Sequence, residues 1–214
     1  MPKIVDADSR RALIAEAVIR LIVRGGIEEA SLRNVAAESG LNIGSVRHYV
    51  DGYEGMLIDA VRHMARQVAG RIEARLAAAA AELGGLDPGG LAPREVVRLR
   101  EVAIDLLEEL LPLDEERRRE VVVWLAFCER SRTAPELRDE ARALMDGARQ
   151  LARPLLEAAG SSRLDLATEA LAATLDGLAI ALLHDPDRLS REQRREILDV
   201  CLGAAVRWPS PQLP

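Results

Sequence analysis

A short stretch of the chain concentrates side chains that can donate hydrogen bonds to a nucleic acid. Residues 39–57 read SGLNIGSVRHYVDGYEGML and hold both tyrosines of a protein that is poor in aromatic residues. Arg47 and His48 can donate to guanine edges or to phosphates, and the small residues Gly44 and Ser45 permit close approach to a duplex. This stretch is therefore a candidate DNA-contacting segment.

The sequence lacks the residue patterns typical of an enzyme or a metal site. His48, His63 and His184 are far apart, and there is no Gly-rich phosphate loop, GxSxG or HExxH motif. Cys128 and Cys201 have no CxxC spacing and no histidine at a metal-ligand distance, so we interpret them as reduced core thiols. We expect no catalytic residue, no cofactor and no bound metal.

The composition predicts an all-α protein of about nine helices. Among the 214 residues, 49% are hydrophobic but only 2% are aromatic, and Ala, Leu, Arg and Glu dominate. No apolar run reaches the roughly 18 to 20 residues of a membrane span, so we expect a cytoplasmic protein without a membrane partner. The net charge of −6 argues against nonspecific coating of nucleic acid, although residues 1–50 hold seven basic against six acidic residues.

Two short helices would position the candidate segment. Ser31 is a candidate N-cap for a helix over 32–39, Gly40 can end that helix, and a second short helix is expected over about 43–49. This arrangement fits a helix-turn-helix, whose second helix enters the DNA major groove. Helix pairs with a glycine turn also occur in proteins that bind no DNA, so the spacing alone leaves both readings open.

Apolar periodicity predicts the remaining helices. A first helix ends at Gly25-Gly26, and a long fourth helix covers roughly 53–81 before a loop at 84–90. Five more helices are expected over about 93–111, 114–131, 135–159 with a break or kink near Pro154, 162–184 and 190–207. Ser190 and Gln193 have the spacing of a capping box at the start of the last helix.

The run from Arg11 to Leu57 closely resembles the N-terminal DNA-binding domain of TetR-family transcriptional regulators. The matching positions are Ser31, Ala36, Gly40, Gly44, Ser45, His48, Tyr49, Glu54 and Leu57. Further along, LLPLDEERRREVVVWLAFCERSRTAPELRDEARAL and LAATLDGLAIALLHDPDRLS resemble the C-terminal domain of the BetI-like branch of that family.

The resemblance implies a domain organisation and a function. It implies a helix-turn-helix domain over 1–52, a ligand-binding and dimerisation domain over 53–207, and a tail over 208–214 whose three prolines predict disorder. The expected function is that of a homodimeric regulator, most often a repressor, that a small-molecule effector releases from a palindromic DNA operator. Activation of transcription, and a helical adaptor with a vestigial DNA-binding domain, are the alternatives.

The resemblance also assigns DNA-binding residues, with three departures from the family pattern. The assigned residues are Ser31, Arg33, Asn42, Ile43, Gly44, Ser45, Arg47, His48, Tyr49 and Tyr53. Arg47 stands where the family usually has an aromatic residue, Val50 where it has a phenylalanine, and Tyr53 where it has a lysine. The loss of this lysine predicts that DNA affinity depends less on salt concentration. Tyr53 is expected to donate its hydroxyl to a phosphate, whereas Tyr49 can equally be a packing residue and His48 a surface histidine.

Two further sets of residues are assigned to the C-terminal part. The effector pocket is expected to include Met64, Val68, Trp124, Phe127, Cys128, Thr174 and Asp176. Its rings could stack on an apolar or cationic ligand, but core packing and a structural role for the aspartate are alternatives. The dimer interface is expected to include Leu171, Leu175, Leu178, Leu182, Ile197, Leu198, Cys201 and Leu202, with an intramolecular core as the alternative.

Overall fold

The computed structural model describes residues 7–83 and 93–205, and the regular structure in these two ranges is entirely helical. The N-terminal helices are α1 (Ala7–Gly25), α2 (Leu32–Ser39), α3 (Ile43–Tyr49) and α4 (Gly52–Leu83). The later helices are α5 (Pro93–Leu107), α6 (Glu115–Ser131), α7 (Arg138–Met145), α8 (Gly147–Ala158), α9 (Leu164–His184) and α10 (Arg191–Ala205). Short 3-10 turns cover Ile27–Glu29, Glu108–Leu110 and Pro135–Leu137. The all-α class is confirmed, while the expected loop at 84–90 and tail at 208–214 lie outside the described residues.

The helices begin and end at the local signals that the sequence contains. Ser190 and Gln193 form the capping box, because the backbone N–H of each donates to the side chain of the other. Asp114 caps α6 by accepting from the Arg117 backbone N–H at 2.8 Å, and this hydrogen bond lowers the pKa of the Asp114 carboxyl. Local capping chemistry therefore fixes these helix boundaries.

The helix expected over 135–159 is divided at a different residue from the one that the sequence suggested. The chain breaks at Asp146, between α7 and α8, and Pro154 lies inside α8. Proline removes the N–H that would bond to the carbonyl of Gln150, but both residues are exposed, so water can solvate that carbonyl. The expected kink near Pro154 is thus replaced by a break about two turns earlier.

The described residues form two compact units. The first contains the residues up to Gln67 together with Arg118–Leu144, and the second contains Val68–Arg117 and the residues from Met145 onward. α4 and α6 are continuous helices that contribute residues to both units. By packing, the first unit therefore extends beyond residue 52, where the DNA-binding domain was expected to end; the functional boundary stays a prediction.

One hydrophobic cluster, which we call the head core, fills the first unit. Its members come from α1 to α4 and also from α6, the following 3-10 turn and α7. α6, α7 and the segment between them contribute Val123, Phe127, Ala134, Leu137 and Ala141, and Phe127 is fully buried. The short helices α2 and α3 therefore share their core with α6 and α7.

Polar contacts also hold α1 against α4 and α6. The Glu16 carboxylate on α1 accepts hydrogen bonds from Gln67 Nε2 at 3.2 Å and from Arg119 Nη2 at 3.4 Å, and His63 Nε2 lies 3.0 Å from it. Hydrogen bonds depend on direction, whereas apolar contacts tolerate sliding. Glu16 therefore adds a fixed register to the packing of α1.

The second unit contains a buried carboxylate surrounded by arginines. Glu109 is 2% exposed, and its partners are Arg71 and Arg75 on α4 and Arg117 on α6. A buried carboxylate is costly unless it is paired, and removing one partner of such a pair is strongly destabilising. These ion pairs attach the later part of α4 to the segment that follows α5.

The leucines assigned to a dimer interface pack inside the second unit instead. Leu171, Leu175, Leu178, Leu182, Leu198 and Leu202 are all buried in the single chain, and Ile197 and Cys201 are partly buried. A side chain that is already covered within one chain offers no surface to a partner. The six leucines therefore fit the intramolecular alternative, and a role of the partly buried Ile197 and Cys201 in a dimer stays a prediction.

The opposite side of α9 carries a second apolar stripe that is exposed. Its members are Leu166, Ala170, Ala173, Gly177 and Ile180, spaced alternately by four and three residues. Val200 on α10 is also exposed, at 62%. α9 is thus apolar on two faces, and only one of them contributes to the core of the chain.

We expect truncation of the ring at the centre of the head core to destabilise the first unit. Phe127→Ala should lower its free energy of unfolding by about 3 to 5 kcal/mol, because it removes a buried ring and leaves a cavity. Urea unfolding followed by circular dichroism measures this change. The control is Val97→Ala, at a side chain that is 54% exposed and should change stability by less than about 0.5 kcal/mol. A loss below about 1 kcal/mol for Phe127→Ala would contradict the shared core.

Candidate nucleic-acid interface

α2 and α3 form a helix-turn-helix whose turn depends on one glycine. Gly40 ends α2 with φ 68° and ψ 23°, the left-handed conformation that residues with a Cβ rarely adopt. The Leu41 backbone N–H then donates to the Ala36 carbonyl at 2.9 Å, which closes the end of α2. The turn expected from the sequence is therefore present, and the bounds 32–39 and 43–49 agree with it.

α3 has one buried side and one exposed side. Val46 is fully buried in the head core, and Tyr49 packs against that core. The opposite side presents Ile43, Gly44, Arg47 and His48 to solvent, and we call these four residues the reading face. Arg47 forms no ion pair within the ranges 7–83 and 93–205, so its guanidinium is available to a ligand.

His48 and Tyr49 contact each other at the end of α3. Their ring centroids lie 5.0 Å apart at an interplanar angle of 73°, an edge-to-face arrangement. Because Tyr49 packs against the head core, this contact limits the orientations of the exposed imidazole. Tyr49 thus packs against the core, as one of its two interpretations expects. A contact between its hydroxyl and a phosphate stays a prediction.

Ser31 and Asn42 cap the two helices through their side-chain oxygens, and the caps do not use the hydrogen-bond donors of these side chains. Ser31 Oγ accepts from the Asn34 backbone N–H at 3.2 Å, and Asn42 Oδ1 accepts from the Ser45 N–H at 2.7 Å. Both caps use oxygen lone pairs, so the Ser31 hydroxyl hydrogen and the Asn42 amide hydrogens remain free to donate. At the start of α2, Arg33 is exposed as well. These groups are suited to phosphate contact at two helix N-termini.

Tyr53 has a different partner from the one expected. Its hydroxyl donates to the Ile27 carbonyl at 3.2 Å, and burial raises the pKa of this half-buried phenol. A phenol has one O–H, so in this conformation Tyr53 cannot also donate to a phosphate. Tyr53 instead ties the first turn of α4 to the 3-10 turn Ile27–Glu29.

Two arginines of α1 are paired with a carboxylate of α2. Glu38 on α2 accepts from Arg20 Nε at 2.8 Å and from Arg24 Nη2 at 3.1 Å on α1. These two guanidinium groups lower the pKa of the Glu38 carboxyl. The pairs join α1 to α2, so Arg20 and Arg24 are less available for a nucleic acid than Arg33 and Arg47.

The residues assigned to an effector pocket are divided between the two units. In the first unit, Met64 and Phe127 belong to the head core, and Trp124 and Cys128 pack against it. The second unit contains Val68, Thr174 and Asp176. Thr174 Oγ1 donates to the Ala170 carbonyl at 2.9 Å and lies 3.6 Å from Cys201 Sγ, while burial raises the pKa of Asp176. Within each unit these contacts are structural, and their role in ligand binding stays a prediction.

Comparisons with known proteins agree with this geometry. A family model described as BetI-type transcriptional repressor, C-terminal, matches residues 99–207. The HTH-type transcriptional regulator PksA of Bacillus subtilis is 31% identical over 202 residues, which cover 92% of this chain and 90% of PksA. The chain belongs to the TetR family. Its members are transcriptional regulators and not enzymes.

Solved structures of other regulators resemble this TetR-family chain over almost their full length. A transcriptional regulator from Rhodococcus sp. Rha1 superposes with a TM-score of 0.72 at 27% identity, covering 92% of this chain and 96% of its own. The multidrug binding protein EbrR, complexed with imidazole, gives a TM-score of 0.61 at 28% identity, covering 96% and 93% of the two chains. The fold of both units is thus that of the family.

We expect Tyr53 to act on stability more than on DNA affinity. Tyr53→Phe removes the hydrogen bond to the Ile27 carbonyl and should lower the free energy of unfolding by about 1 kcal/mol. Affinity for operator DNA should change by less than about twofold, because no phosphate contact is lost. Thermal unfolding and a DNA titration on the same preparation measure both quantities. Unchanged stability with a tenfold loss of affinity would contradict the structural role.

Proposed function

We propose that this protein is a homodimeric transcriptional repressor that acts in the cytoplasm and binds a pseudo-palindromic DNA operator. The reading face of α3 carries the proposal. Arg47 and His48 are exposed donors on a helix whose other side is anchored by the fully buried Val46, and the turn before the helix holds a left-handed glycine. The capping residues Ser31 and Asn42 have side-chain donors that the caps do not use, and they lie at the N-termini of α2 and α3, where phosphates bind favourably.

The assignment of roles follows from this geometry. The reading face, with Ser45 beside it, would enter the major groove, where arginine can bond the O6 and N7 atoms of a guanine. Ser31, Arg33 and Asn42 would hold the phosphate backbone. The family match to a BetI-type repressor supports repression over activation.

The exposed stripe on α9 supports dimerisation. Leu166, Ala170, Ala173, Gly177 and Ile180 repeat at the spacing of a helix-helix seam, and a Cβ at Gly177 would meet no neighbouring atom. Small residues allow two helices to approach closely. With Val200 of α10, this stripe would pack on the same surface of a second copy, which is the isologous contact of a two-fold dimer.

A small-molecule effector would control the DNA-bound state. Trp124 is partly exposed and packs against the head core, so a ligand that moves this ring would act on the same cluster that holds α2 and α3. EbrR, which is 28% identical, is a multidrug binding protein in complex with imidazole, and this supports a ligand site in the fold. By linkage the ligand and DNA would weaken each other equally, typically by about 1 to 3 kcal/mol.

Arg47 provides the test of DNA reading. Purified protein is titrated against a labelled fragment from upstream of its own gene, with scrambled DNA as competitor, over a series of salt concentrations. Arg47→Ala should weaken binding to the fragment at least about fivefold, because a bidentate contact to one base is worth about 1 to 3 kcal/mol. The matched control is Arg138→Ala, another exposed arginine, on α7, which should leave the affinity unchanged. Equal affinities of wild type and Arg47→Ala would refute the role of the reading face.

Ile180 provides the test of the dimer surface. Ile180→Glu places a charge on the apolar residue at the C-terminal end of the stripe, and we expect the wild-type dimer to become a monomer at micromolar concentration. Sedimentation velocity measures the mass. Met145→Glu is the matched control, since Met145 is 45% exposed against 43% for Ile180 and lies outside the stripe. A dimer that persists in Ile180→Glu would rule out this surface.

A further inference from the structure

An apolar side chain stands on the otherwise polar or small reading face. Ile43 is the first residue of α3 and is 40% exposed, whereas the other aliphatic residue of the helix, Val46, is fully buried. A single exposed apolar residue is ordinary on a protein surface. Its place is what matters here, because the proposed function puts this surface against base edges.

Ile43 and Arg47 are neighbours along the helix. They are four residues apart, so their Cα atoms are separated by about 6 Å along the axis and their side chains share one side. The intervening Gly44 adds no side chain to the reading face, and a Cβ there would lie 3.3 Å from the capping oxygen of Asn42. Glycine therefore leaves room beside Ile43 without disturbing the cap.

The chemistry of the major groove offers one apolar target. All four bases present hydrogen-bonding atoms there, but thymine alone also presents a methyl group, at C5. An isoleucine side chain cannot form hydrogen bonds. Its favourable contact in the groove is therefore with this methyl group, because the contact removes apolar surface of both groups from water. Arg47, one turn away, matches the O6 and N7 acceptors of a guanine.

We infer that Ile43 is a specificity-determining residue that contacts a thymine C5-methyl group in each operator half-site. This thymine lies about one or two base pairs from the guanine that Arg47 reads, since 6 Å along the groove spans less than two base-pair steps of about 3.4 Å. The inference rests on the proposed function and adds to it one element of the operator sequence.

A methyl-deletion scan tests this inference. Once a specific duplex has been defined by the titration or by selection from random DNA, each thymine is replaced in turn by deoxyuridine, symmetrically in both half-sites. For the wild type, one position should lose about fourfold in affinity per half-site, the effect of one buried methyl group. For Ile43→Ala, the same replacement should change the affinity by less than about 1.5-fold.

Two control variants separate the outcomes. Ile43→Val keeps a branched apolar side chain and should keep most of the discrimination between thymine and deoxyuridine. Leu13→Ala shortens another exposed aliphatic side chain, outside the reading face, and should behave like the wild type. A flat scan for the wild type, or equal discrimination in Ile43→Ala, would overturn the inference while leaving DNA binding intact. Failure of the wild type to bind any duplex in preference to scrambled DNA would instead overturn the proposed function.

Discussion

The reading face depends on the burial of two helices that are too short to be stable alone. α2 and α3 have eight and seven residues, whereas isolated helices shorter than about 12 to 15 residues are marginal in water. Val35, Ala36 and Val46 anchor them in the head core, and that core is completed by Phe127 and its neighbours on α6 and α7. The shape presented to DNA is therefore set by a segment that is distant in sequence.

This shared core explains how a change at α6 could reach α3. The apolar cluster joins the helices without fixing their register, and Glu16 adds directional bonds from α1 to His63 and Gln67 on α4 and to Arg119 on α6. Farther along α4, Arg71 and Arg75 pair with the buried Glu109 in the second unit. α4 therefore contributes hydrogen bonds to the first unit and ion pairs to the second.

Local signals in the sequence predict the helix-turn-helix well. Features that depend on packing between distant residues could not be predicted in the same way. Ser31, Gly40 and Asn42 act on backbone groups within a few residues, so the bounds of α2 and α3 could be read directly. α9 is apolar on two faces, and periodicity alone cannot say which face packs inside the chain. For this reason the sequence pattern alone does not distinguish Leu171 and its neighbours, which are buried within the chain, from the exposed stripe. The hydrogen bond of Tyr53 could not be predicted from local signals, because its partner, Ile27, lies 26 residues away.

The most direct measurement is amide hydrogen exchange of the protein with operator DNA and with scrambled DNA. A ligand that binds only the folded first unit slows the exchange of every amide that exchanges through cooperative unfolding of that unit. We expect operator DNA to slow exchange in α2 and α3 and, to a similar extent, in residues 118–144, with little effect of scrambled DNA. Protection confined to α2 and α3, or equal protection by both DNAs, would contradict a sequence-reading face built on a core shared with α6 and α7.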